Sequence, residues 1–284
     1  MSRSKSDNVL VWVLRGAAAV SGAIALLIAV FLVLESLPVL GKTGLVRFFS
    51  DPSWHPTDHL YNLTPMLWGT LFAMVGAVLV ATPLGVLSAV FCQYYAPPRV
   101  AGLYRRLIEL LAGIPSVVYG LWGLMVLVPI VGRMHPPGPS LLAGIIVLSI
   151  MILPTIALSA DAALAGVPRE YRQAAAALGI SRWSTIRHVV FPAAKSGLFT
   201  GVILETGRAI GETMAILMVC GNQIQTPKSI FDPVRTLTAN IALEMAYAMG
   251  DHRSALFVSG LLLLAMIVIL VAAAEAISRG RIDA

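Results

Sequence analysis

Six long apolar runs, separated by polar segments of very unequal length, set the pattern of this chain. They fall at 16–34, about 66–91, 110–131, 141–160, 198–219 and 255–274. With a rise of 1.5 Å per residue, about 20 helical residues reach about 30 Å, the thickness of a bilayer's hydrocarbon core. Each run therefore predicts a membrane-crossing helix, and the fold class is an all-α integral membrane protein with six transmembrane helices. Pro83, Pro115, Pro129 and Pro154 lie inside these runs. A proline frees backbone groups, which is tolerated at membrane depth only where neighbouring helices or a polar cavity satisfy them.

Composition agrees with that reading. Of 284 residues, 58% are apolar and 12% charged, against about 45–50% and about 25% in soluble domains. So little charge cannot coat a water-soluble body, which excludes a soluble enzyme. The net charge of +6 is then read as topology before nucleic-acid affinity, and no nucleic-acid partner is expected. Thirteen Lys/Arg sit in one set of connections: Arg3, Lys5 and Arg15; Arg99, Arg105 and Arg106; Arg169, Arg172, Arg182, Arg187 and Lys195; Arg279 and Arg281. The opposite set holds six, with Arg208 left over inside a span. The positive-inside rule puts both termini in the cytoplasm. The first run is longer than a signal peptide's apolar core and lacks a small-x-small cleavage site, so an uncleaved helix is expected.

Two outer loops are long. Residues 35–59 carry Phe48, Phe49 and Trp54, and hold His55, Asp58 and His59 close together. A solvated histidine pair is the expectation there, and no metal site is predicted. Cys92 and Cys220 form neither a disulfide framework nor a metal cluster by spacing. In the second loop, residues 236–249 place Leu237, Ile241, Met245 and Met249 at helical spacing, which predicts a short amphipathic helix lying at the interface or dipping into the membrane.

The polar segment 161–197 reads differently. Pro168 suits a first helical turn, Ala174–Ala177 are strong helix formers, and Gly179 is a natural stop. Ser181 can cap a second helix running to about residue 190, which Pro192 is expected to close. A helix, a glycine turn and a second helix, with basic residues and an exposed Trp183, fit a docking element for a cytoplasmic protein. An amphipathic loop resting on anionic headgroups is the alternative.

Charge also stands where lipid should be. The fifth run contains Glu205, Arg208 and Glu212, and each ionised side chain near the bilayer centre costs about 2.5–3.5 kcal/mol on insertion scales. Their i, i+3, i+7 spacing predicts one shared face, with Arg208 a turn from each carboxylate. That face either lines a polar path or forms a structural ion pair between helices. Ser116, Tyr119 and Thr213 are candidate hydroxyl donors near such a path. Ser116 follows Pro115, where a broken helix would present N–H groups to an anion. The chain holds no Gly-x4-Gly-Lys-[Ser/Thr] loop, so ATP hydrolysis is expected on another chain. Hydrolase motifs are also missing, and the protein is not expected to be an enzyme by itself.

The 161–197 segment resembles the coupling-helix motif of type I ABC importer permeases, Glu-Ala-Ala-x3-Gly-x9-Ile-x-Leu-Pro. Here Gln173-Ala174-Ala175 stands three residues before Gly179, and Val189, Val190, Phe191 and Pro192 follow after nine more. Gln173 replaces the motif's Glu, although Glu170 lies one turn earlier. The stretches Gly113-Ile114-Pro115-Ser116-Val117-Val118-Tyr119-Gly120, Ile152-Leu153-Pro154 and Gly207-Arg208-Ala209-Ile210-Gly211-Glu212-Thr213-Met214-Ala215 are similar to the phosphate importer permeases, and more to the PstC subunit than to PstA. The resemblance spans roughly residues 45–278.

It implies a MetI-like permease fold in a bacterial cytoplasmic (inner) membrane, with a first unit 1–62, a permease domain 63–278 and a tail 279–284. The partners it implies are a PstA-like second permease subunit, a PstB-like ATP-binding dimer and a PstS-like phosphate-binding protein, periplasmic or lipid-anchored. The cargo it implies is phosphate. No cofactor is expected on this chain, and ATP and Mg would belong to the partner ATPase. In that family the positions matching Arg208 and Glu212 are taken to matter for transport, with Glu205 a further candidate. Glu170, Gln173, Ala174, Ala175, Gly179, Trp183 and Pro192 would meet the ATPase. A type I permease for molybdate, sulfate or phosphonate, or a secondary anion transporter or channel, are the competing readings.

Overall fold

The computed structural model describes residues 5–279, with side chains from 9 to 276. Arg3, Arg281 and residues 280–284 lie outside the described residues, as do the side chains of Lys5 and Arg279. Thirteen helices and one tiny hairpin follow in order among the described residues. They are α1 (Lys5–Thr43), α2 (Arg47–Ser50), β1 (Trp54–His55), β2 (Leu60–Tyr61), α3 (Thr64–Val90), α4 (Pro98–Ala112), α5 (Ser116–Trp122) and α6 (Val128–Met134). Then come α7 (Leu141–Ala165), α8 (Arg169–Ala177), α9 (Arg182–Thr185), α10 (Phe191–Gly211), α11 (Met214–Val219), α12 (Leu237–Glu244) and α13 (Gly250–Arg279). Single π-helical turns at Phe91–Tyr95, Gly123–Leu127 and Ile186–Val190 extend or join helices. Six stretches are long and apolar enough to cross a membrane, as the hydropathy pattern predicts.

The bundle is organised around α7, of whose most apolar stretch 61% is buried, against at most 33% in any other span. Leu148, Met151, Ile152 and Ile156 fill the centre. Lipid is as apolar as leucine, so the hydrophobic effect alone does not press one spanning helix onto another; close packing of small residues does. The helix α3 supplies them at every fourth position: Gly69, Ala73, Ala77, Ala81, Gly85 and Ala89 are all buried. That stripe lies against α7, where Ser149 Oγ donates to the Ala77 carbonyl at 3.3 Å. At the far end of α7, Asp161 accepts two hydrogen bonds from Arg105 at 2.9 and 3.1 Å and one from Gln93 at 2.9 Å. The clamp holds amphipathic α4 onto the bundle, and hydrogen bonding to Asp161 raises the Arg105 guanidinium above its ordinary pKa.

The first helix is peripheral. None of its most apolar stretch is buried, and it packs on α13 through Phe31 edge-on to Phe257 and a Lys42–Asp251 ion pair of 2.7 Å. It runs well past the predicted 16–34, and α13 likewise exceeds 255–274. Consequently the first outer loop begins only after Thr43. Its Phe48, Trp54 and Tyr61 are buried, and Phe48 stacks on Tyr61. His55 Nδ1 pairs with Ser53 and His59 Nδ1 with Tyr61, each within its own loop.

Two expectations fail. The third span starts at Ser116, not 110, because Gly113–Pro115 breaks the chain and residues 110–112 finish α4. Pro192 closes nothing: it follows the π turn at Ile186–Val190 and sits in the first turn of α10, where its missing N–H has no helical acceptor to lose. The stretch 182–211 is therefore one continuous spanning segment. The amphipathic helix expected at 236–249 forms over Leu237–Glu244, and burial of Leu237, Thr238, Ala239, Asn240 and Glu244, with Ala242 exposed, favours a segment dipping inward over one lying flat at the interface.

The α3 stripe generates a test. Ala77→Leu inserts three carbons where the side chain has no exposure, and overpacking costs about 1–3 kcal/mol. Its thermal midpoint in detergent should fall by several degrees, whereas Leu79→Ala, two residues on and 68% exposed, should leave the midpoint nearly unchanged.

Candidate functional site

The fifth span carries the charges, and it is interrupted among them. Helix α10 stops at Gly211, Glu212 takes an extended backbone (φ −66°, ψ 124°), and α11 restarts at Met214. An interruption frees N–H groups, and here the Glu212 carboxylate covers one: Oε1 accepts from the Ala215 N–H at 3.1 Å. Its carbonyl accepts from Thr238 Oγ1 of α12 at 3.0 Å, and Thr213 Oγ1 donates back to the Gly211 carbonyl at 3.2 Å. The predicted i, i+3, i+7 face therefore holds only for the first two charges. Glu212 leaves the face because the helix ends beneath it, and it caps the next one.

Arg208 faces Glu205 at 3.8 Å, too long for a hydrogen bond. The guanidinium is 38% exposed, while Glu205 Oε2 is buried with no hydrogen-bond partner. The pair is thus under-satisfied on both sides. Positions 191, 195, 198, 202 and 205 of α10 recur at helical spacing, and the first four line an open groove of about 490 Å³ against Thr82 and Val86 of α3. Arg187 and Lys195 border that groove, so Glu205 stands on the same helix face as a partly basic channel.

The other hydroxyl candidates belong to the turn that leads into the third span. Tyr119 is buried, and its OH donates to the Leu111 carbonyl at 2.8 Å, bridging the Gly113–Pro115 interruption. Ser116 opens α5 and is half-buried. Helix α5 packs against α11, so the third and fifth spans meet. Thr213 joins them at its own break.

At the opposite end of α10 lies the hook. Gly179 has φ +68°, and the Gly179 and Ile180 N–H groups donate to the carbonyls of Ala176 and Ala175, each at 3.0 Å. This paired pattern is the Schellman stop, which places a left-handed residue after the helix. Ala175 is buried and anchors α8, while Glu170, Gln173, Ala174 and Gly179 are exposed. Ser181 then caps α9 through the Ser184 N–H at 3.3 Å. Tyr171, Leu178, Ile180 and Trp183 form an exposed apolar set, Leu178 at 78% and Trp183 at 52%. Pro192 is exposed beside the groove. The Arg182 guanidinium donates to the Tyr94 carbonyl at 3.0 Å, holding α9 to the end of the second span.

Sequence reasoning missed one cluster. Glu244 at the end of α12 accepts from Arg235 at 2.6 Å, Trp54 Nε1 at 2.9 Å and His252 Nε2 at 2.9 Å. A carboxylate within an otherwise apolar helical segment was the available signal.

Six candidate spans among the described residues, a polar break beside Arg208 after the fifth and an exposed glycine-turn hook at the other end of α10 are consistent with a membrane-embedded transport subunit. The chain belongs to the family described as binding-protein-dependent transport system inner membrane component, whose profile matches residues 81–283. It is 42% identical over 253 residues to a probable ABC transporter permease protein, YqgH, of Bacillus subtilis, covering 86% of this chain and 82% of that one. It is 34% identical over 294 residues to the phosphate transport system permease protein PstC of Mesorhizobium japonicum, covering 96% and 86%. Solved structures share the fold: a MetNI methionine ABC transporter chain (TM-score 0.58, 20% identity, 77% of this chain and 93% of that one) and a bacterial alginate ABC transporter chain (TM-score 0.66, 14% identity, 98% of both). The fold is thus the MetI-like type I permease fold, and the protein is a multi-pass membrane permease subunit.

A Cβ at position 179 meets no neighbour within 4 Å, so the cost of an alanine there is conformational, about 1–2 kcal/mol. Gly179→Ala should raise hydrogen exchange at the Gly-turn amides about five- to thirtyfold, and Gly179→Asn distinctly less. Equal exchange in wild type and both variants would contradict a left-handed stop.

Proposed function

We propose that this chain is the permease subunit of an ATP-driven importer that carries inorganic phosphate across the bacterial cytoplasmic membrane and forms half of the path. The observation that carries the reading is the state of Arg208: a guanidinium within a spanning helix, partly exposed, 3.8 Å from its nearest carboxylate oxygen. A guanidinium presents forked donors that match phosphate oxygens, and here they are not spent on a close ion pair. Glu205 competes for the same cation and keeps the anion from being held too tightly. Glu212 acts through geometry, by fixing the break that follows Arg208, and Thr213, Ser116 and Tyr119 shape the junction of the third and fifth spans. Similarity to PstC supports phosphate as the cargo, since a guanidinium alone would also take sulfate, molybdate or phosphonate.

ATP hydrolysis belongs to partner subunits, which use ATP and Mg; this chain supplies no residue to that reaction. Its exposed Tyr171, Leu178, Ile180 and Trp183 offer an apolar grip, with Glu170, Gln173 and Ala174 beside it. When two ATPase subunits close, the hook between 168 and 191 is pushed, and the spans rotate toward an outward opening. A second, PstA-like permease provides the other half of the path, and a PstS-like protein delivers phosphate from outside.

Three measurements test this. In the assembled transporter in lipid, Arg208→Gln should lower phosphate uptake more than tenfold without reducing assembly; wild-type uptake by that variant would overturn the assignment. Unlabelled sulfate, molybdate and phosphonate run as competitors should each displace labelled phosphate poorly. At the hook, Trp183→Ala should weaken retention of the ATPase during purification, and unchanged retention together with unchanged turnover would remove the hook from the interface.

A further inference from the structure

The Glu244 cluster lies away from Arg208, yet one short helix connects the two. Helix α12 is eight residues long, about 12 Å. At its first turn, Thr238 Oγ1 donates to the carbonyl of Glu212 in the break, and the Leu237 N–H donates to Thr70 Oγ1 of α3 at 3.0 Å. At its last residue, the Glu244 carboxylate collects Trp54 from the outer hairpin, His252 from the start of α13 and Arg235 from the segment entering α12. Arg235 in turn donates to the Asn222 carbonyl at 3.0 Å and Asn240 Oδ1 at 3.1 Å. Its own carbonyl lies where a Cβ on Gly69 of α3 would fall 2.7 Å away, so only glycine lets α3 approach this segment.

We infer that Glu244 is a positioning residue for transport: it fixes α12 against the outer hairpin and the last span, so that the far end of α12 holds the backbone of the break beside Arg208. Four features support this. The carboxylate is 9% exposed, and neither of its oxygens is left without a partner. Its donors come from three separate parts of the chain, so the contact sets the relative position of elements rather than the stability of one. Leu237, Thr238, Ala239, Asn240 and Glu244 are buried, so both ends of α12 are packed into their neighbours although Ala242 between them is exposed. The hydroxyl at its far end grips a carbonyl that an unbroken helix would have kept for itself. A change at the outer hairpin, on the face where a solute-delivering protein would dock, is thereby passed to the break.

The inference rests on the proposed cargo only for its probe, labelled inorganic phosphate. The experiment measures uptake per assembled transporter in lipid for wild type, Glu244→Gln, Thr238→Val, the double variant and Trp54→Phe. Glu244→Gln keeps the shape but cannot accept from all three donors; its kcat should fall about tenfold with KM within about twofold. Thr238→Val, which cuts the other end, should give about a fivefold loss. Because both act through one element, the double variant should lose little more than about tenfold, where independent effects would multiply to about fiftyfold. Trp54→Phe removes one neutral donor and should cost about threefold, and it decides the matter with Thr238→Val if Glu244→Gln fails to assemble. Multiplying losses, a change confined to KM, or normal kcat per assembled complex in the single variants would overturn the inference. Absence of phosphate uptake by wild type would count against the cargo instead; uptake of sulfate, molybdate or phosphonate would then carry the same comparison.

Discussion

In hydrocarbon no water satisfies a freed backbone group, so each interruption of a spanning helix has to be repaired by the protein. The break after the fifth span and the turn that leads into the third satisfy their freed groups by different means. At Gly113–Pro115, the Tyr119 hydroxyl reaches back across the gap to the Leu111 carbonyl. At 212–213, a carboxylate takes the N–H of Ala215, and a threonine from α12 takes the carbonyl of Glu212. The repairs are polar, and they lie where α5 and α11 pack together. The repair by Glu212 stands one helical turn along the chain from Arg208, which on the proposed reading sets fixed polar groups beside the anion.

The same constraint explains what could be read in advance. The six spans were legible because apolar run length is nearly sufficient to define a spanning helix. Their ends were less so. Leu110, Leu111 and Ala112 count as apolar whichever helix they belong to, and only the backbone at Gly113–Pro115 assigns them to α4. Pro192 was read as a stop, yet a proline just past a π turn loses no hydrogen bond that the turn had not already displaced. The period-four stripe from Gly69 to Ala89 was fully visible as a pattern of small residues, and hydropathy alone passed over it, since alanine scores as apolar wherever it faces.

The charged positions teach a sharper lesson. Glu205 and Arg208 share a face, as spacing on a continuous helix requires, and Glu212 does not, because spacing says nothing once the helix ends. For 236–249, the apolar spacing predicts an amphipathic helix but leaves the partners of its one carboxylate unspecified. Glu244 finds Arg235, Trp54 and His252, brought from positions 9, 190 and 8 residues away along the chain. Trp54 in particular is linked by no local pattern. Tertiary partners of that kind convert a surface-like pattern into a buried one.

Continuity from Arg182 to Gly211 has a mechanical consequence. Thirty residues in one rod extend about 45 Å, with the hook at one end and Arg208 one turn from the other. Had Pro192 ended a helix, a loop between hook and span would have absorbed displacement. Instead, Ser181 caps the rod, Arg182 ties its start to Tyr94, and Ile186 and Val190 bury its π turn against α7 and the end of α3. A push on the hook must therefore move the Arg208 segment or tilt the whole rod. The break at 212–213 is the first point beyond the hook where the backbone can yield. On the proposed reading, the break beside Arg208 would then serve as the hinge, and a push from the hook would reach Arg208 before it reaches α11.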